Sequence, residues 1–136
     1  MQHGDASREA VKPLRAKGFT LIELLVVLAI VSMLLSLAVP RYFQSIENAK
    51  STVLSDNLRQ LRSIIDKFFA DTARYPDSLD ELVDKGYLKN LPVDPVSDSN
   101  STWIIVAPKE GYRGRVYDIR SGAPGVDRFG KPYSEL

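Results

Sequence analysis

Hydrophobic positions along this chain change rhythm at one clear boundary. From Phe19 to Val39 the run is apolar on every face, interrupted only by Thr20, Glu23, Ser32 and Ser36. As a helix rising 1.5 Å per residue, these 21 residues reach about 31 Å, close to the roughly 30 Å hydrocarbon core of a bilayer. Beyond Pro40 the apolar residues thin to a stripe. Ile46, Val53, Leu54, Leu58, Leu61, Ile65, Phe68 and Phe69 recur at threes and fours, while Glu47, Lys50, Asp56, Arg59, Arg62 and Asp66 keep the other faces wet. The pattern predicts one nearly continuous helix from Phe19 to about Thr72, oily all round in its first half and one-sided in its second. Pro40 cannot donate to the carbonyl of Ser36, so a kink or loosened turn is expected there.

After that helix the punctuation changes. In "RYPDSLDELVDKGYL", Pro76 stops the long helix from continuing. Ser78 with Glu81 fits a capping box for a short second helix, and Gly86 fits the left-handed residue that ends it. "LPVDPVSDSNST", residues 91–102, reads as turn and loop. Two strands are expected, Thr102 to Ala107 and Arg115 to Ile119, joined by a glycine-containing loop as a hairpin. The tail from Arg120 is rich in Gly and Pro, with at most a short third strand near Tyr133. A hairpin alone is marginal in water, and the Leu54–Phe69 stripe is the apolar partner available to it. The expected fold class is α+β: a long N-terminal helix packed on a small antiparallel sheet.

Composition removes several kinds of chemistry. The chain has 136 residues and a formal net charge of +1, so no overall pull toward nucleic acid or anionic lipid is expected. It has no cysteine, and its one histidine is His3, so the usual nucleophile–base pairs cannot be assembled. No spacing singles out a carboxylate pair for acid–base work, and enzymatic activity is not expected. Arg8, Lys12, Arg15 and Lys17 outnumber Asp5 and Glu9 ahead of the apolar run, which favours a cytoplasmic N-terminus and export of the chain beyond that run. From Asp71 to Asp98 there are seven acids and three bases; from Lys109 to Lys131 there are six bases and three acids. Such segments either steer neighbouring subunits together or neutralise each other within one subunit. Asn100-Ser101-Thr102 matches a glycosylation sequon, a match that in a Ser/Asp loop is more often a plain turn. Trp103 and the tyrosines read as core or partly buried surface.

Within "KGFTLIELLVVLAI", Gly18 follows a basic residue, Phe19 opens the apolar run, and Glu23 stands fifth after the glycine. This resembles the class III signal of type IV pilins and the related pseudopilins. The resemblance implies a leader, residues 1–18, removed by a prepilin peptidase that cuts between Gly18 and Phe19 and methylates the new Phe19 amine. It implies a hydrophobic segment at 19–40 that serves first as a membrane span and then as filament core, and a periplasmic head at 41–136. It further implies that Glu23 neutralises the N-terminal amine of a neighbouring subunit during assembly. A charge left alone in a membrane helix is costly, which gives that role a physical basis. Two plainer readings compete. An ordinary secretory signal with a cut after Ser36-Leu37-Ala38 is opposed by Glu23 inside an h-region longer than the usual 7–15 residues. A simple single-pass anchor explains the length but not Gly18, Phe19 and Glu23 together.

Farther on, "LPVDP" (Leu91 to Pro95) and "VYDIRSGAPG" (Val116 to Gly125) are similar to stretches of the type II secretion major pseudopilins. That likeness implies a structural subunit of a periplasmic helical filament that drives protein export. Its expected partners are further copies of itself, other pseudopilins and an inner-membrane assembly platform. The rival is a type IV pilus subunit serving adhesion, twitching or DNA uptake, the last through phosphate contacts from Lys109 to Lys131; nucleic acid is not an expected partner. Type II major pseudopilins hold calcium in an acid-rich loop, where this chain offers only Asp118 and Asp127 among Arg120, Arg128 and Lys131. Calcium favours six to eight oxygens, so neither calcium nor any other cofactor is expected. Packing of Phe129, Pro132 and Tyr133 is expected to hold the tail instead.

Overall fold

The computed structural model describes Gly4 and residues 18–136; apart from Gly4 and Gly18, the expected leader lies outside the described residues. The first helix, α1, runs Leu21–Thr72 with Pro40 inside it. The chain divides into two units, one ending at Ala38 and the other Val39–Leu136. In the first unit nothing among the described residues covers the apolar side chains, and the helix is long and apolar enough, by length and composition, to cross a membrane.

In the second unit the stripe on α1 becomes the core. Leu54, Leu58, Leu61, Ile65 and Phe68 alternate steps of four and three and are all buried. They cluster with Tyr75, Leu79, Leu82, Trp103, Val116, Ile119, Ala123 and Tyr133. Val53, one residue before the stripe's first member, stays 48% exposed. The helix ends at Thr72, four residues before the proline expected to stop it. Ala73 takes a left-handed φ of 58° and donates to Phe69 O at 2.8 Å. That conformation costs an L-residue roughly 1–2 kcal/mol. Arg74 stands directly after it, paired with Glu81 and lying over the Phe68 ring at 5.0 Å.

The second helix, α2, spans Leu79–Asp84. Ser78 Oγ accepts from Glu81 N at 3.3 Å, as expected, but the Glu81 carboxylate reaches past Ser78 to accept from Asp77 N at 2.7 Å. Gly86 has the expected left-handed conformation, with φ 81°. Glu81 also accepts from Nη1 and Nη2 of the Arg74 guanidinium, and this hydrogen-bonded pairing, with the Asp77 amide second, holds its carboxyl below the usual carboxylate range.

Two strands form the sheet, β1 (Trp103–Val106) and β2 (Asp118–Ser121), antiparallel with Trp103 opposite Ser121 and Ile105 opposite Ile119. β2 begins three residues later than the expected Arg115. The amides of Arg115 and Val116 donate instead to Pro76 O at 3.0 and 2.9 Å, and Tyr75 N donates to Arg113 O at 2.9 Å. Gly114 permits that docking: its φ is 94°, and a Cβ there would lie 2.0 Å from Tyr75 O. The third strand expected near Tyr133 is a 3₁₀ turn, Tyr133–Glu135, beside a lone Val126–Pro132 bridge. Tyr133 is buried, but Phe129 is 78% exposed, so it takes no part in packing the tail.

A buried carboxylate ties the 91–102 loop to this sheet. Asp94 Oδ1 accepts from Val96 N at 2.9 Å and Ser97 N at 3.3 Å, and its Oδ2 accepts from Ser121 Oγ. Trp103 Nε1 donates to Pro92 O at 2.9 Å, and Asn57 Nδ2 donates from α1 to Val93 O at 3.1 Å.

Replacing Leu58 by Ala should lower unfolding free energy by about 2–5 kcal/mol, whereas Val53→Ala should cost less than about 1 kcal/mol; denaturant titration of the full chain measures both. The Glu81–Arg74 pair adds a pH dependence. A carboxyl whose folded pKa lies below its ordinary value of 4.5 stabilises fully above that value and loses its contribution as pH falls through the lowered folded one. Stability should therefore decline below about pH 4.5, and Glu81→Gln should remove part of that slope; equal slopes in the two proteins would contradict the assignment.

Candidate functional site

Sequence and structure converge on the junction where the chain enters α1. Gly18, Phe19 and Thr20 are exposed and precede the first helical residue, and Phe19 is 88% exposed. A backbone that has not entered a helix is free to lie extended in a protease cleft, because its amides and carbonyls are uncommitted. Leu24 N donates to Thr20 O at 3.2 Å, so regular helical bonding starts there.

Glu23, one turn into the apolar run, folds back on this start. Its Oε2 accepts from Thr20 N at 3.3 Å, while Glu23 N donates to Thr20 Oγ1 at 3.2 Å. This is a reciprocal capping box, and it satisfies two amide donors that a helix N-terminus leaves without partners. The carboxylate also lies where the helix macrodipole favours negative charge. The signal for it, Thr20-x-x-Glu23 ahead of an apolar run, stands in the sequence, but the length of the apolar run singles out Glu23 alone. Thr20 is therefore a member of the site that pattern reading missed. The long bonds and exposed position leave the carboxylate open to a stronger donor.

The two weak metal candidates are each engaged elsewhere. Asp118 Oδ1 accepts from Arg62 Nε and from Ile119 N, both at 2.8 Å. Asp127 Oδ1 accepts from Phe129 N at 2.8 Å and Lys131 N at 2.9 Å, closing its own loop. No interaction joins the two, and among the described residues no group of three or more His, Asp or Glu side chains is placed to hold a metal ion.

Arg62, which the helical pattern puts on a solvated face, instead bridges α1 to the sheet and tail, donating also to Ile119 O at 3.0 Å and Leu136 O at 2.7 Å. Its long apolar stem lets a residue beside the Leu58–Leu61 stripe reach across the core edge. Among the described residues no ion pair joins the acidic segment at 71–98 to the basic one at 109–131. Arg74 pairs with Asp77 and Glu81 inside the first segment, and Arg62 takes Asp118 from the second. Asn100 is exposed at a bend, and Trp103 belongs to the core.

Comparison with known proteins bears on the same junction. Residues 14–39 match the family model described as the prokaryotic N-terminal methylation motif. The chain is 30% identical over 126 residues to the type II secretion system core protein G of Escherichia coli K12, covering 81% of this chain and 83% of that protein. It is 34% identical over 128 residues to the core protein G of Dickeya chrysanthemi, covering 82% and 80%. The type IV major pilin PilA of Myxococcus xanthus is 35% identical over 68 residues, covering 50% of this chain and 31% of the pilin. No solved structure matches.

Proposed function

The chain belongs to the family of the type II secretion system core protein G, and from that premise we propose that it is a structural pseudopilin subunit that polymerises in the periplasm to drive protein export. The methylation motif at 14–39, laid over an exposed Gly18–Phe19 junction, is the observation that carries this reading. Peptidase cleavage after Gly18 leaves an ammonium group on Phe19, and N-methylation keeps that charge. The segment 19–40 then has two successive solvents, the inner membrane and the interior of a bundle of identical helices. The head, 41–136, stays on the periplasmic side.

Glu23 takes a different partner in each. In the separate subunit its carboxylate caps the helix through Thr20 at 3.3 Å. In the filament it turns to the methylated amine of a neighbouring copy, a bond in which both partners are charged, whereas in the local one only the carboxylate is. An unpaired charge in that interior is heavily penalised, so register between subunits follows from the pairing. The role asks no catalysis of this chain. Prepilin peptidase, other pseudopilins and the inner-membrane platform are the partners, and the energy for assembly comes from outside the chain.

Intact mass and N-terminal sequencing of membrane-extracted protein test this reading. The expected mature chain starts at N-methyl-Phe19, and a bulky replacement at Gly18 should leave the precursor uncut. A chain starting at Val39, the product of an ordinary secretory cut, would overturn it.

A further inference from the structure

The loop from Gly125 to Pro132 is braced from within, and it holds an aromatic ring in water. Asp127 N donates to Lys131 O at 2.8 Å and Gly130 N to Asp127 O at 3.0 Å, while Asp127 Oδ1 takes the amides of Phe129 and Lys131. At its tip Phe129 is 78% exposed, with the Arg128 guanidinium over the ring at 4.6 Å. Apart from that guanidinium, nothing in the described chain covers the ring.

Its position in the head suggests what does. Arg128 and Val126 line one wall of a cleft whose other wall is Gln44, Glu47 and Asn48 of α1. Gln44 lies five residues beyond Val39, where the apolar run ends, and Asn48 nine, or about 8 and 14 Å along a helix. Between Val39 and Gln44, α1 exposes Arg41, Tyr42 (65%) and Phe43 (61%). Val126 to Arg128 thus sit beside the first turns of α1 past Val39, where Arg41, Tyr42 and Phe43 are exposed, and Arg128 carries the Phe129 ring with it. With Arg41 and Arg128, Lys50 makes a third base, while Lys131 lies farther along α1 beside Ser55 and Asp66; the acids lining the Arg128 cleft are Glu47 and Asp127, and Asp127 is committed to its own loop. Aromatic rings at the interface and long basic side chains above it suit a headgroup layer.

We propose that loop 125–132 together with Arg41–Phe43 is a docking surface for anionic phospholipid headgroups. It holds the head down on the bilayer while the subunit waits in the membrane. The proposal rests on the reading that Phe19–Val39 spans the bilayer. Each base near an anionic surface favours the docked state about fivefold, so the dock is reversible and yields when the subunit is drawn into a filament.

The absence of cysteine makes single-site labelling of the full chain direct. Nitroxides at Phe129→Cys, Val93→Cys and Leu28→Cys are compared in vesicles of phosphatidylglycerol with phosphatidylethanolamine and in phosphatidylcholine alone, using oxygen and a nickel chelate as lipid and water probes. Val93 is the aqueous control, bonded to α1 at Asn57, about 27 Å along the helix from Val39. The label at 129 should read as lipid-contacting in anionic vesicles and aqueous in phosphatidylcholine, with 93 aqueous in both. Adding Arg41→Gln and Arg128→Gln should lower the docked-to-free ratio about 25-fold. A label at 129 as aqueous as 93 in anionic vesicles, with 28 in hydrocarbon, overturns the dock and leaves the span intact. A water-accessible label at 28 overturns the span and the dock with it. Shielding at 129 that follows protein-to-lipid ratio instead of lipid charge identifies a second copy as the occupant and also overturns the proposal.

Discussion

The apolar surface between Phe19 and Val39 has no partner among the described residues of its own chain, and that constraint organises the molecule. Each buried methylene is worth about 0.8 kcal/mol, so a helix with this much apolar surface facing water is not a resting state. Lipid satisfies it, and so does a bundle of identical helices. The two environments differ in what they tolerate: a bilayer boundary leaves a carboxylate near water, whereas a bundle interior demands a cation. On the proposed reading, Glu23 is where passage from one to the other is controlled. Its bond to Thr20 gives the carboxylate a local partner at 3.3 Å, the one that the proposed pairing with a neighbouring amine would displace.

The head answers a different requirement. The unit Val39–Leu136 buries the one-sided half of α1 in its own core. Leu54, Leu58, Leu61, Ile65 and Phe68 face a sheet too small to stand alone. Side-chain ties reinforce it where two strands are not enough. Arg62 bonds α1 to Asp118, Ile119 and Leu136, Asp94 fastens the preceding loop to Ser121, and the 113–116 segment leans on Tyr75 and Pro76.

Regular periodicity was the readable part. The all-round apolar run, the stripe to Thr72, the Ser78 cap and the Gly86 terminator rest on local rules, and each was legible without the structure. What failed depends on contacts distant in sequence. β2 starts at Asp118 because Arg115 and Val116 are claimed by Pro76, about forty residues upstream and invisible to propensity. Phe129 reads as a core residue because aromatic side chains usually are, and only the self-closed Asp127 loop explains its exposure. Arg62 and Asp94 carry no pattern at all: one charge on a polar face and one acid in a proline-rich loop become structural only through partners elsewhere. In the functional segment the Gly18–Phe19–Glu23 spacing was legible, but Thr20 was not, since a common cap motif is easily overlooked inside a membrane-length run.

The most direct measurement is filament yield from processed protein carrying Glu23→Ala, compared with Thr20→Val, in cells that hold the complete assembly machinery. Both variants lose the local cap; only the first loses the acid. If the acid pairs with the next subunit's amine, Glu23→Ala should be cut and methylated normally yet form filaments about a hundredfold less, while Thr20→Val assembles. Normal filaments from Glu23→Ala would contradict the account.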